Sequence, residues 1–198
     1  MAVAPSAQPL PLPRSAPGES WPVRLVPLLT AHLVVALVAL VAIGGATRVM
    51  QAGLACPDWP LCYGVLWPGR QWNLQVFLEW FHRLDAFLVG VALLLLFALS
   101  LRFRARFPGW LPWSAGLALG LVAVQGGLGA LTVLSQLAAP TVTLHLAAAL
   151  SLVLLLSAMH QGLERCPVAA APLAGDLPRW WSPLPVLAAL LVVGQCLL

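Results

Sequence analysis

Glu79-Trp80-Phe81-His82-Arg83-Leu84-Asp85 stands at the mouth of an apolar run that continues to Leu101. Ionisable side chains at the entrance of a segment apolar enough to cross a bilayer are costly, and they point to a site facing protein or a cavity. At about 100° per residue, Glu79 and His82 lie roughly 60° apart on a helix, so both can enter one pocket. The run after them decides the fold class, because its length and apolar character read as a transmembrane helix.

The rest of the chain agrees. Of 198 residues, 61% are hydrophobic and 8% are charged, where an ordinary soluble domain carries about 25% charged residues. The expected fold is therefore all-α, a polytopic protein whose partner is the lipid bilayer. All ten basic residues are arginine. No basic patch with interleaved aromatics is present, which argues against nucleic acid as a partner.

Working outward from the quoted stretch, Asn73 is a plausible N-cap for the helix that contains it. Upstream, residues 47–72 form a turn-rich loop with Gly53, Pro57, Pro60, Gly64, Pro68 and Gly69. Before that, residues 25–46 give a first span, too long in its apolar part and too poor in preceding charge for a cleaved signal peptide. Residues 1–23 carry six prolines and read as a disordered tail. Downstream, Arg102, Arg104 and Arg106 close the second span, residues 111–134 form a third, and Pro140 opens a fourth that runs to about residue 159. A fifth apolar run, 184–198, is short for a span, as if the chain were cut within it. The expected domains are the tail at 1–23, a four-helix transmembrane bundle at 24–160, a cytoplasmic loop at 161–182 and an incomplete fifth span at 183–198. The arginine cluster places the N-terminus and the 102–106 loop in the cytoplasm, with loops 47–72 and 135–139 outside.

That topology pairs two histidines. Spans two and four run in the same direction, and each carries a histidine near its outer end, His82 and His145. Imidazoles at one depth on two helices of a bundle suit haem ligation; the alternative is that each bonds a backbone carbonyl. His32 reads as lying near the inner end of span one, and His160 lies at the inner end of span four, where it complements the helix dipole; both read as structural. Glu79 stands four residues before Arg83, the favourable order for an ion pair, and is otherwise a candidate proton acceptor. Arg83 suits a propionate as well as Glu79. Asp85 either orients the His82 ring or merely favours the helix N-terminus. Gln125, beside Gly126 and Gly127, needs a hydrogen bond from a neighbouring helix or a ligand edge. Cys56 and Cys62, six positions apart around prolines, suit a structural disulfide first, a redox-active one second, and zinc least. Cys166 and Cys196 have no evident partner.

Together these residues resemble the haem A synthase family. The resemblance rests on Gly44-Gly45-Ala46-Thr47-Arg48, on Gly53-Leu54, and on Cys56-Pro57-Asp58-Trp59-Pro60-Leu61-Cys62-Tyr63-Gly64. It continues through Glu79-Trp80-Phe81-His82-Arg83, the stretch from Gln125 to Val133, and His145-Leu146, in the family's order over about residues 40–150. Members carry eight spans in two similar halves, each half offering a histidine pair to a haem. This chain resembles the first half and the start of the second; the second histidine pair is absent from it. The resemblance implies haem as cofactor, with haem O as substrate and haem b also allowed, and His82 and His145 as iron ligands. It implies that Glu79 is catalytic in taking a methyl of haem O, through an alcohol, to the formyl of haem A, and that Cys56 and Cys62 are disulfide-bonded. Arg83 and Gln125 are the further cofactor-binding candidates. Expected partners are haem O, a haem O synthase and an electron acceptor, in a multi-pass protein of the plasma membrane; a homo-oligomer is left open. The alternative activity is a bis-histidine b-type cytochrome in which Glu79 has no catalytic duty.

Overall fold

The computed structural model describes residues 21–166. The remainder of the tail, residues 167–182, the fifth apolar run and Cys196 lie outside the described residues. Four helices occupy most of the described chain: α1 (Trp21–Val49), α2 (Leu74–Arg102), α3 (Trp110–Leu134) and α4 (Ala139–Glu164). All four are long and apolar enough to cross a membrane.

Each helix starts where local chemistry supplies what its first turn lacks. The Asn73 side chain accepts a hydrogen bond from Val76 N at 2.9 Å, the expected N-cap of α2. Pro22, Pro112 and Pro140 sit in the first turns of α1, α3 and α4, where a missing N–H leaves no bond unmade. The helices exceed their expected apolar spans at several ends. α1 begins at Trp21, inside the segment expected as tail, where the Trp21 ring meets Phe103 edge-on at 5.2 Å. α4 runs to Glu164, into the segment expected as loop, because buried Met159 and Leu163 continue its core stripe.

Contacts fix the order of packing. α1 packs on α2, α2 on α3, α3 on α4, and α4 back on α1. Gly44 near the end of α1 lies against His82 near the start of α2, and Gly116 of α3 lies against Phe97 of α2. Gly162 of α4 lies against Trp110 of α3. Neighbouring helices are therefore antiparallel, and α2 and α4 are parallel across the diagonal of a four-membered ring.

The core is unevenly distributed along that ring. Val26, Leu33 and Leu37 of α1 meet Leu93 and Leu96 of α2, Leu111, Ala115 and Ala118 of α3, and Leu152, Leu156 and Leu163 of α4. These lie toward the end of the bundle that carries Arg102, Arg104 and Arg106. At the other end, no side chain of α3 from 119 to 132 or of α4 from 139 to 151 is fully buried. Small residues (Gly126, Gly127, Gly129 and Ala147 to Ala149) occupy those stretches and leave the space that larger side chains fill elsewhere.

Candidate functional site

The unfilled end is where the two histidines stand. His82 is eight residues into α2 and His145 six residues into α4, or about 12 and 9 Å along parallel helices at 1.5 Å per residue. The expected common depth is met. The Nδ1 atoms of both rings are buried and without a hydrogen-bond partner. A buried polar atom left unpaired is rare in a folded protein and needs an explanation.

Glycine shapes the wall beside each ring. A Cβ at Gly44 would stand 3.0 Å from His82 Cε1, and one at Gly129 would stand 3.5 Å from His145 Cε1. The first is closer than side chains normally approach, so the His82 ring occupies room that only glycine leaves. Gln125 fastens the second ring's helix: its Nε2 donates to the His145 carbonyl at 2.9 Å, while its buried Oε1 has no partner. Of the two openings left for Gln125, its amide nitrogen takes the neighbouring helix. Two imidazoles with unsatisfied nitrogens, glycine clearings beside them and a gap in the core between their helices fit a flat, apolar group with a metal at its centre.

The loop between α1 and α2 sits over this end. Cys56 and Cys62 are joined in a disulfide with a Cα separation of 4.7 Å, so their sulfurs are not free thiolates for zinc. Both are buried, with Val76, Trp72 and Trp80 packed around them. Trp67, Trp72 and Trp80 meet edge to face at 4.8 to 5.3 Å, and Trp80 Nε1 donates to the Leu66 carbonyl at 2.6 Å. At the loop's inner rim, Gly53 packs against Leu137 of the α3–α4 turn.

Glu79 and Arg83 tie this loop to α2. Glu79 is 4% exposed; its Oε1 pairs with Arg83 and its Oε2 accepts from Cys56 N at 2.7 Å. Arg83 also donates to the carbonyls of Asp58 at 2.6 Å, Cys56 at 3.2 Å and Leu61. The ion pair expected from their spacing is present, and the same guanidinium also bonds carbonyls of the loop. Sequence reasoning missed this clasp, because its acceptors are backbone atoms that have no signature in residue type. Asp58 completes the loop: its carboxylate accepts from Tyr63 N at 2.6 Å and Gly64 N at 2.7 Å. Slight burial pushes the Asp58 carboxyl up, but those two N–H groups outweigh it and hold the group below the usual carboxylate range.

The other candidates separate from the site. Asp85 makes no bond to the His82 ring, whose Nδ1 has no partner. His32 lies eleven residues into the 29-residue α1, nearer its middle than its end, and its Nδ1 donates to the Leu28 carbonyl at 2.8 Å. His160 Nδ1 lies 3.3 Å from Thr30 Oγ1, a structural contact between α4 and α1 as expected.

A family model described as COX15-CtaA, cytochrome oxidase assembly protein, matches residues 28–75 and 70–198. The chain belongs to that family. It is 31% identical to the haem A synthase of Shewanella oneidensis over 192 residues, covering 88% of this chain and 56% of that protein. It is 29% identical to the haem A synthase of Rhodopseudomonas palustris over 185 residues, covering 77% of this chain and 51% of that protein. The chain thus spans about half the length of these two relatives. A protohaem IX farnesyltransferase of Halobacterium salinarum is 35% identical over 108 residues, covering 54% of this chain and 24% of that protein. No solved structure matches the chain.

Proposed function

We propose that this chain forms a haem-binding half of a haem A synthase, acting in the oxidation of a haem O methyl group to the formyl of haem A. The observation that carries the reading is the pair of histidines on diagonal, parallel helices, each with an unpartnered buried nitrogen, in a chain similar to two proteins named haem A synthase. The similarity to part of a protein named protohaem IX farnesyltransferase supports a farnesylated haem as the substrate and a haem O synthase as the source. Such a substrate, with its long apolar tail, resides in lipid, where a site among transmembrane helices meets it.

His82 and His145 would hold the iron, and the haem would supply the redox chemistry. Gly44 and Gly129 leave room beside the rings, and Gln125 keeps α4 from turning its histidine away. The disulfide loop excludes water from this end of the bundle. Glu79 accepts a proton at a carboxylate oxygen only by releasing Arg83 or the Cys56 N–H, so its catalytic step is coupled to movement of the loop. The loop side, with its disulfide, faces the oxidising compartment and the arginine side faces the cytoplasm.

The test is a reduced-minus-oxidised spectrum of the chain expressed in membranes, beside an assay of haem A. His82→Ala and His145→Ala are expected to abolish the bis-imidazole spectrum. Glu79→Gln is expected to keep the spectrum while haem A formation falls at least tenfold in the full-length context. A wild-type chain without a haem spectrum would overturn the reading; unchanged haem A formation in Glu79→Gln would leave a b-type cytochrome.

A further inference from the structure

Two arginines at the packed end of the bundle flank the seam between α1 and α2. The Trp21–Phe103 contact near one end and the Gly44–His82 contact near the other fix the register of these antiparallel helices. Arg24 is thereby within about one residue of the level of Arg102. The Arg102 guanidinium lies over the Phe103 ring at 5.2 Å, the ring that Trp21 meets edge-on. Arg24 stands three residues past Trp21, about 60° round α1 from it. Both arginines are exposed. Each helix has 29 residues, or about 43 Å at 1.5 Å per residue, against a hydrocarbon core about 30 Å thick. The end turns therefore stand at the depth of lipid head groups.

No charge on the protein answers these two. Among the described residues, neither Arg24 nor Arg102 pairs with a carboxylate. Inward from them the seam opens into a groove of about 200 Å³, with Leu29, Leu33, Ala36 and Ala92 among its walls. Leu29 is five residues past Arg24, about 7.5 Å deeper. Two polar residues also line the groove. His32 turns its Nδ1 onto the Leu28 carbonyl of its own helix. Asp85 is about 25 Å along α2 from Arg102, past the midplane that a lipid chain entering from the arginine side reaches.

Shape and charge narrow the ligand. The volume is below the usual range of about 300–1,000 Å³ for a pocket that engulfs a whole ligand, so it suits one chain of a molecule whose remainder lies in the bilayer. Guanidinium forks match phosphate oxygens. Two of them without a carboxylate favour a head group of net negative charge, since a zwitterionic one would bring its own ammonium beside them.

We propose that the arginine end of the α1–α2 seam binds an anionic phospholipid, with Arg24 and Arg102 on its phosphate and one acyl chain along Leu29, Leu33, Ala36 and Ala92. The site is separate from the histidine pair, and its test needs no haem.

The test is native mass spectrometry of the full chain, delipidated in a non-ionic detergent, with equal amounts of phosphatidylglycerol and phosphatidylcholine of the same chains. One phosphatidylglycerol per chain is expected, retained at least tenfold over phosphatidylcholine. Arg24→Gln and Arg102→Gln should each lower that retention at least fivefold. Ala36→Trp fills the groove, leaves both arginines in place and should lower it as much. Arg165→Gln removes an equal charge from an exposed position at the end of α4 and should change nothing. Circular dichroism confirms that each variant keeps its helices. Equal retention of the two lipids, or of neither, overturns the proposal. So does a loss in Arg165→Gln equal to that in Arg24→Gln, which would mean diffuse attraction to the whole basic end. Retention that Ala36→Trp leaves intact also overturns it, since the arginines would then hold a phosphate group without its chain.

Discussion

Arg83 donates to three carbonyls of the disulfide loop and pairs with Glu79, so one side chain joins the loop to α2. Replacing it with methionine leaves the Glu79 carboxylate buried without its cation, a change that costs about 3–5 kcal/mol. Arg83→Met is therefore expected to loosen the loop, read as faster reduction of Cys56–Cys62 by a water-soluble phosphine. Arg83→Lys should restore only part of the protection, since a point-like ammonium cannot span acceptors that a planar fork reaches together. Gly44 offers a cleaner probe of the histidine site. Gly44→Ala puts a methyl 3.0 Å from His82 Cε1, whereas a Cβ at Gly45 meets nothing within 4 Å. Haem affinity should fall at least tenfold in Gly44→Ala and hold in Gly45→Ala, with the Soret titration as readout. Asp58 gives a pH dependence of known sign. Its folded pKa lies below the ordinary value, so its contribution to loop stability is present above the unfolded pKa. That contribution is lost as pH falls through the folded one. Amide exchange at Tyr63 and Gly64 should stay slow down to the usual carboxylate range and quicken below it, and Asp58→Asn should erase that acid step.

At the scale of elements, caps and turns carry testable weight because the apolar faces give little register of their own. The Asn73 cap of α2 was legible from residue type, and Asn73→Ala should lower thermal stability by about 1 kcal/mol. Helix ends were less legible. Hydropathy marks where a span is apolar, but the helices continue past it while packing partners last, as Trp21 on Phe103 and Leu163 in the core demonstrate. The α3–α4 turn shows a different limit. Gln136 and Leu137 take φ of 54° and 59°, a left-handed conformation that L-residues other than glycine and asparagine adopt at a cost. Nothing in Ser135-Gln136-Leu137-Ala138 announces it. Gln136 is exposed, so Gln136→Gly should raise the melting temperature slightly or leave it unchanged. A clear drop would mean that the side chain has a role beyond its backbone. Leu137 is held there by its contact with Gly53, which joins this turn to the loop over the site.

For the whole molecule, the ring of antiparallel helices separates a packed end from an end with room in it. Its orientation in the bilayer is testable with Cys166, a free thiol just past α4 on the arginine side. In a Cys196→Ser background, an impermeant maleimide should label Cys166 only after the cells are opened; labelling of intact cells would reverse the topology. The amino-acid sequence alone determined that residues 21–166 form a membrane bundle of four spans, because apolar runs of such length have no other stable destination than lipid. It also determined that His82 and His145 share a depth, because depth is only residue count along helices of known direction. Tertiary structure decided what faces what. Which helices are neighbours and which diagonal, and that Arg83 reaches the carbonyls of the disulfide loop, depend on rotation of each helix about its axis. Helices that are hydrophobic all round leave that rotation unspecified in sequence, and only close packing against glycine, the disulfide loop and the neighbouring helices selects it.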